Sequence, residues 1–155
     1  MNVLDSFRLD GKTALITGGG TGGLGRWMAQ ALLEAGASVV VTSRTDDKAQ
    51  QAAEVGSERL AYTAADVRDP ASVEQLFEFA AKRFGPVDIL VNNAGTAWGE
   101  PTATVSLDNW KRVVDVNVNG TFLVTQRFGR AAIEAKRPGM VINIASVAGL
   151  RGGFG

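Results

Sequence analysis

TGGGTGGLG, Thr17 to Gly25, lies between an apolar run, TALIT (13–17), and a run with helical spacing, RWMAQALLEAG (26–36). Five of the six residues from Gly18 to Gly23 are glycine, and Gly25 follows. A backbone this bare forfeits side-chain packing and costs conformational entropy. After a strand and ahead of a helix, the compensating use is close approach. Backbone N–H groups and the helix N-terminus face an anion that a side chain would block. The fingerprint G-x-G-x-x-G fits at Gly18, Gly20 and Gly23, and again at Gly20, Gly22 and Gly25. A double match in a glycine-rich tract is weak alone, and a plain flexible turn is the alternative. The strand before and the helix after favour the phosphate cradle. The P-loop pattern fails, because no Lys-Ser/Thr follows.

Outward from this loop, apolar and helical segments alternate. Thr13–Thr17 reads as a buried strand and 26–35 as a helix stopped by Gly36. Ser38–Thr42 is continuously apolar at its centre, as strands covered on both faces are. A helix is expected over 46–55 and a weaker strand over 60–64. Asp69-Pro70 predicts a helix start, with Asp as N-cap and Pro at the first helical position. Val73, Leu76, Phe77 and Ala80 form its apolar stripe, and it ends near Gly85. A fourth strand is expected over 87–91. Ser106 caps a long helix in which Leu107, Trp110, Val113 and Val114 recur at helical spacing. Gly139 ends the next helical segment, and 140–144 is a fifth strand. Strands alternating with helices predict an α/β fold, a doubly wound parallel sheet of Rossmann type in three α/β/α layers. Residues 1–155 read as one domain without repeats or linkers.

Composition narrows the chemistry. Sixteen basic residues balance sixteen acidic ones, which argues against a nucleic-acid binder and a polybasic membrane anchor. Cysteine is absent, excluding disulfides, thiolate catalysis and Cys-ligated zinc. Histidine is absent too, which removes the commonest general base, the commonest metal ligand and any Ser-His-Asp triad. No metal site is expected. No apolar run is long enough to span a bilayer, and the N-terminus has no signal-peptide pattern, so a cytoplasmic protein is expected.

Four further stretches extend the glycine reading. NNAG stands at Asn92–Gly95, DVNVNGTF at Asp115–Phe122, INIAS at Ile142–Ser146, and AADVRD around Asp66. Together with TGGGTGGLG they resemble, in order, the signatures of the short-chain dehydrogenase/reductase family along essentially the whole chain. The resemblance implies a dinucleotide-binding Rossmann domain and hydride transfer with a nicotinamide cofactor. Implied nucleotide contacts fall at Thr17, Gly18, Gly20, Gly22, Gly23, Leu24 and Gly25, at Asp66, which meets the adenine amino group, and Val67, and at Asn93, Ala94 and Gly95. Ser146 is the implied substrate hydrogen-bonding residue, and Asn117 the holder of a proton-relay water. Trp98 either lines the substrate mouth or packs on the core.

Two departures accompany the resemblance. Gly23-Leu24-Gly25 matches the family's G-x-G, but Thr17-Gly18 then stands one residue too far upstream, so the loop carries one extra residue. The family's Tyr-x-x-x-Lys pair is also missing. The only tyrosine is Tyr62, with no Lys four residues on, and the chain ends at Gly155, shortly after Ser146. The expectation is that the C-terminal part of the domain lies outside these residues and that 1–155 alone is inactive.

Cofactor choice is read at the end of the second strand, where NAD-type units carry an acid for the ribose. Here Ser43 stands there, and Arg44 follows. No carboxylate repels a 2′-phosphate, and Arg44 can fork onto one, so NADP(H) is favoured, with NAD(H) possible. The expected function is oxidoreduction between NADP(H) and a secondary alcohol or ketone. LDGKTALITGG and NIASVAGLRGG lean toward the 3-oxoacyl reductase or sugar-acid dehydrogenase type. The expected partner is a small-molecule substrate, and the intact protein is expected to be a homo-oligomer, dimer or tetramer. The alternatives are a non-catalytic nucleotide-binding module and another Rossmann enzyme such as a methyltransferase.

Overall fold

Five parallel strands form one sheet, in the order β3-β2-β1-β4-β5, in a computed structural model that describes residues 2–19, 23–45 and 57–151. The strands are β1 (Thr13–Thr17), β2 (Ser38–Ser43), β3 (Leu60–Ala64), β4 (Ile89–Asn92) and β5 (Met140–Asn143). The helices are α1 (Leu24–Glu34), α2 (Pro70–Phe84), α3 (Leu107–Val114) and α4 (Thr121–Glu134). A π-helical segment, Asp115–Gly120, joins α3 to α4. The helix expected over 46–55 lies outside the described residues.

The expected strands are present, within one or two residues at their ends. The central ones are apolar and buried on both faces because the parallel sheet is covered on both sides. Alternate side chains enter two cores. Leu15, Val40 and Leu90 pack with Val73, Leu76 and Phe77 of α2 and Val124 and Phe128 of α4. Ile16, Val39, Val41 and Val91 pack with Ala29 and Leu33 of α1. The stripe foreseen on α2 is the buried one, and Asp69 caps that helix through the N–H groups of Ala71 (3.1 Å) and Ser72 (3.2 Å). Ser106 caps α3 through the N–H of Asn109 (3.1 Å). On α3 the periodicity misleads: Leu107 and Trp110 are exposed, since no described element covers that face.

β4 begins at Ile89 rather than Val87, because Asp88 serves as a junction. Its backbone N–H donates to Thr13 O (2.8 Å), and its carboxylate accepts from the Thr13 N–H (3.0 Å) and from Arg137 Nη2 (2.5 Å). Its carbonyl accepts from Met140 N–H (2.9 Å). One buried side chain thus ties the N-terminal ends of β1 and β4 to the approach to β5. At the other end of the sheet, strand order reverses between β1 and β4. Ligands of open α/β sheets bind beyond the carboxyl ends of the strands at such a switch point.

Asp88→Ala strips the partners from the Thr13 N–H and from Arg137. It should lower stability by about 2–3 kcal/mol, read as a reduced denaturant midpoint with an unchanged slope.

Candidate functional site

Thr17 ends β1 and is fully buried. Its Oγ1 accepts the backbone N–H groups of Asn93 (3.1 Å) and Ala94 (3.0 Å), and its hydroxyl is aimed at the Val91 carbonyl at 3.5 Å. Asn93 answers: its Nδ2 donates to the carbonyls of Thr17 (3.0 Å) and Gly18 (2.9 Å). The strand after the switch point therefore holds the start of the glycine loop. Asn92, one residue earlier, ties β4 outward, donating to Thr125 Oγ1 and Asn143 Oδ1, both at 2.8 Å.

The glycines divide by the contacts a Cβ would make. At Gly18, where φ is +68°, it would stand 2.6 Å from Ala94 Cα. At Gly25 it would stand 2.4 Å from Gly19 Cα and 2.9 Å from Asn93 Nδ2. At Gly23 it would meet nothing within 4 Å. Close approach therefore requires glycine at Gly18 and Gly25, while Gly23 needs it for its positive φ of +76°. Gly23 serves as the N-cap residue of α1, with Leu24 as its first helical residue. Gly20 and Gly22 lie outside the described residues.

Beside this knot opens a cleft of about 580 Å³. Of the residues singled out from sequence, Gly18, Ser43, Arg44, Asp66, Val67, Ala94 and Gly95 line it. Thr17, Asn93 and Gly25 support it from behind. The sequence reading missed Thr45, Arg68 and Thr96, which also line it. A signal for Arg68 was present: it stands between two acids in ADVRD.

Several polar groups of the cleft bond one another. Arg68 Nη2 donates to Asp66 Oδ2 (2.6 Å), and its Nε donates to Oδ1 (2.9 Å). The Arg68 backbone N–H adds a bond to Oδ1 (3.0 Å). These bonds, the guanidinium's first, hold the Asp66 carboxyl below the usual carboxylate range, against partial burial. Asp66 is therefore ionised, an acceptor only, at neutral pH. The Ser43 hydroxyl bonds the Tyr62 hydroxyl, which donates to Thr45 O (2.9 Å).

Asn117 sits in the π-helical segment, where its Oδ1 accepts from Thr96 N–H (2.9 Å) and its Nδ2 donates to Thr96 O (2.8 Å). Its amide thus clamps the loop after β4. Ser146 lies beyond β5, exposed, its Oγ accepting from Ala148 N–H (3.2 Å) as the cap of a short 3-10 turn. Trp98 is half exposed rather than packed on the core. It donates to Glu100 Oε2 (2.9 Å) under the guanidinium of Arg112.

Gly25→Ala forces a methyl into backbone and should cost about 1–3 kcal/mol in a chemical melt. Thr17→Val keeps the shape but removes the acceptor of two N–H groups, and should cost about 1–3 kcal/mol. The Asp66–Arg68 pair adds stability above the ordinary carboxylate range and loses it as pH falls through the depressed value. Because the pair is partly exposed and screened by solvent, Asp66→Asn should move the melting temperature little at pH 7.

Comparison with known proteins puts this geometry in context. The model of the short chain dehydrogenase family matches residues 12–155. A short chain dehydrogenase/reductase of Macrophomina phaseolina, dpmpG, is 39% identical over 97% of this chain and 88% of its own length. The 2-dehydro-3-deoxy-D-gluconate 5-dehydrogenase of Dickeya dadantii is 40% identical over 98% of this chain and 60% of its own. Among solved structures, a short-chain type dehydrogenase/reductase from Mycobacterium marinum superposes with a TM-score of 0.91 at 35% identity, covering all of this chain and 64% of that one. A gluconate 5-dehydrogenase from Burkholderia cenocepacia, in complex with NADP and tartrate, gives 0.85 at 38% identity, over 94% of this chain and 58% of that one. A 3-ketoacyl-(acyl-carrier-protein) reductase from Brucella melitensis, complexed with NADH, gives 0.81 at 34% identity, over 90% and 59%. The chain thus spans about three fifths of most of these relatives, and the match across nearly all of its own length makes it a member of the short chain dehydrogenase family of oxidoreductases.

Proposed function

We propose that residues 1–155 form the nucleotide-holding part of a single Rossmann domain that moves a hydride between NADP(H) and a secondary alcohol or ketone. The observation that carries this reading is the cleft at the switch point, with the Thr17–Asn93 knot behind it and Arg44 and Asp66 both on its wall. The donor set fits a dinucleotide. Gly18 and the start of α1 offer bare backbone for the pyrophosphate, Asp66 an ionised acceptor for the adenine amino group, and Ser43 and Arg44 a site for the 2′-phosphate. The similar structures include one with NADP and one with NADH. The preference for NADP therefore rests on Arg44 and on the absence of an acid at position 43.

Bound nicotinamide supplies or accepts the hydride. The chain's own residues position what meets it. Ser146 hydrogen-bonds the carbonyl or hydroxyl oxygen of the substrate, and Asn117 fixes the loop through Thr96. The relatives named as a sugar-acid dehydrogenase and a ketoacyl reductase support a ketone or secondary alcohol as the reacting group. Tyr62 cannot supply the proton: it lies on β3 with its hydroxyl bonded to Thr45, and no Lys follows at the spacing the family uses. Self-association of the whole protein belongs to the same reading, supported by exposed Leu107, Trp110, Val118 and Phe122 along the α3–α4 run.

Two measurements test the reading. In a binding titration, Arg44→Ala should weaken NADPH by about 10–100-fold and NADH by less than about threefold. Equal losses for both would remove Arg44 from the role. Residues 1–155 purified alone should bind NADPH and reduce no ketone, since a positioned acid is worth about 10²–10⁴ in rate. Metal-independent NADPH oxidation coupled to ketone reduction by that chain would refute the assignment.

A further inference from the structure

Tyr62 is the only tyrosine of the chain, and the hydride transfer makes no use of it. It lies on β3 opposite Val41 of β2. Side chains two residues apart on a strand share a face, so Tyr62, Val41 and Ser43 stand on one side of the sheet. The tyrosine ring packs against the core that Val39, Val41 and Leu33 share. Its hydroxyl reaches the end of β2, where it donates to the Thr45 carbonyl (2.9 Å) and bonds the Ser43 hydroxyl. The two residues it holds are the chain neighbours of Arg44. Ser43 Oγ also donates to Thr45 O at 3.2 Å, but that bond ties the loop only to itself. Tyr62 ties it to the core. Ser43, Arg44 and Thr45 line the cleft, and Tyr62 stands behind them, outside its lining.

We propose that Tyr62 is a positioning residue for cofactor choice: it pins the backbone on both sides of Arg44 and so presents that guanidinium to the 2′-phosphate of NADP. This rests on the NADP reading above and adds a residue to it. A forked contact between guanidinium and phosphate needs the arginine side chain aligned. Any backbone freedom beneath that side chain must also be ordered when the ligand arrives. A hydroxyl on a ring fixed in the core removes that freedom beforehand. Tyr62 touches no ligand in this scheme and acts only through Arg44. The rest of the nucleotide is common to NADPH and NADH, so changes there cancel in the ratio of the two affinities. That ratio reads the 2′-phosphate alone.

The test is a set of variants of the purified protein, each titrated with NADPH and with NADH. Tyr62→Phe keeps the ring in the core and removes the hydroxyl. It should cut the NADPH preference by roughly fivefold. Made on top of Arg44→Ala, where no guanidinium remains to be presented, Tyr62→Phe should leave the preference where Arg44→Ala alone puts it. An unchanged preference in Tyr62→Phe overturns the inference. So does a loss that persists in full on top of Arg44→Ala, which would mean that Tyr62 acts on the phosphate without Arg44. Should Tyr62→Phe fail to fold, the unaltered protein still answers: as the only tyrosine, a ring-labelled Tyr62 gives a single NMR signal. NADPH should shift that signal and NADH much less. Equal shifts overturn the inference, as does no shift with NADPH. Equal affinity of the unaltered protein for NADPH and NADH overturns the NADP reading itself, and the inference falls with it.

Discussion

One hydroxyl group organises the ligand end of this molecule. Thr17 Oγ1 takes the N–H groups of two successive residues, Asn93 and Ala94, at a point where the strands on either side diverge and neither can satisfy them through the sheet ladder. Backbone groups buried without a partner cost more than a formed bond contributes. The sheet can therefore open at the switch point only because a side chain closes the hydrogen-bonding account there. Asn93 returns two bonds to the backbone of Thr17 and Gly18, so the glycine loop departs from a fixed origin. The two sequence signatures, some 75 residues apart, are halves of one structure.

That reciprocity explains what the sequence could and could not disclose. The strands were legible because a parallel strand covered on both faces must be apolar throughout, as in SVVVT. The start of α2 was legible because Asp69 and Pro70 act locally, on N–H groups two and three residues away. The register of the glycine loop was not. Glycines alone give several equivalent matches, and the close contacts at Gly18 and Gly25, one from each match, emerge only in the fold. Arg68 left a local signal, standing between two acids, but its two-point hold on Asp66 emerged only in the fold. Helical periodicity on α3 marked an apolar face at Leu107 and Trp110 without saying what would cover it. Mid-helix Asn117 was unfavourable by propensity alone, and the irregular winding around it emerged only in three dimensions.

The two ends of the sheet are held by different chemistry. At the N-terminal end, a buried carboxylate gathers a backbone N–H and an arginine. At the ligand end, neutral hydroxyl and amide groups bond backbone, and the charges stand out on the cleft wall, where a nucleotide can meet them. A charge built into the foundation of the cleft would compete with the phosphates for every nearby dipole. Keeping the foundation neutral leaves the charges of Arg44, Asp66 and Arg68 to the cleft wall.

The π-helical turn between α3 and α4 ties the cleft to the helices packed on the same core, through Val67, Val116 and Val124. Such a turn closes over five residues instead of four, so it inserts one residue into the winding of an otherwise regular helix. Gly120 ends that turn with its Cα against Val67: a Cβ there would stand 2.7 Å from Val67 Cγ2. Val67 in turn lines the cleft beside Asp66. The floor of the cleft is therefore indexed to the phase of a surface helix. Rotating or sliding that helix by a fraction of a turn must displace Val67 or be resisted by it, so the helix surface and the cleft form one mechanical unit.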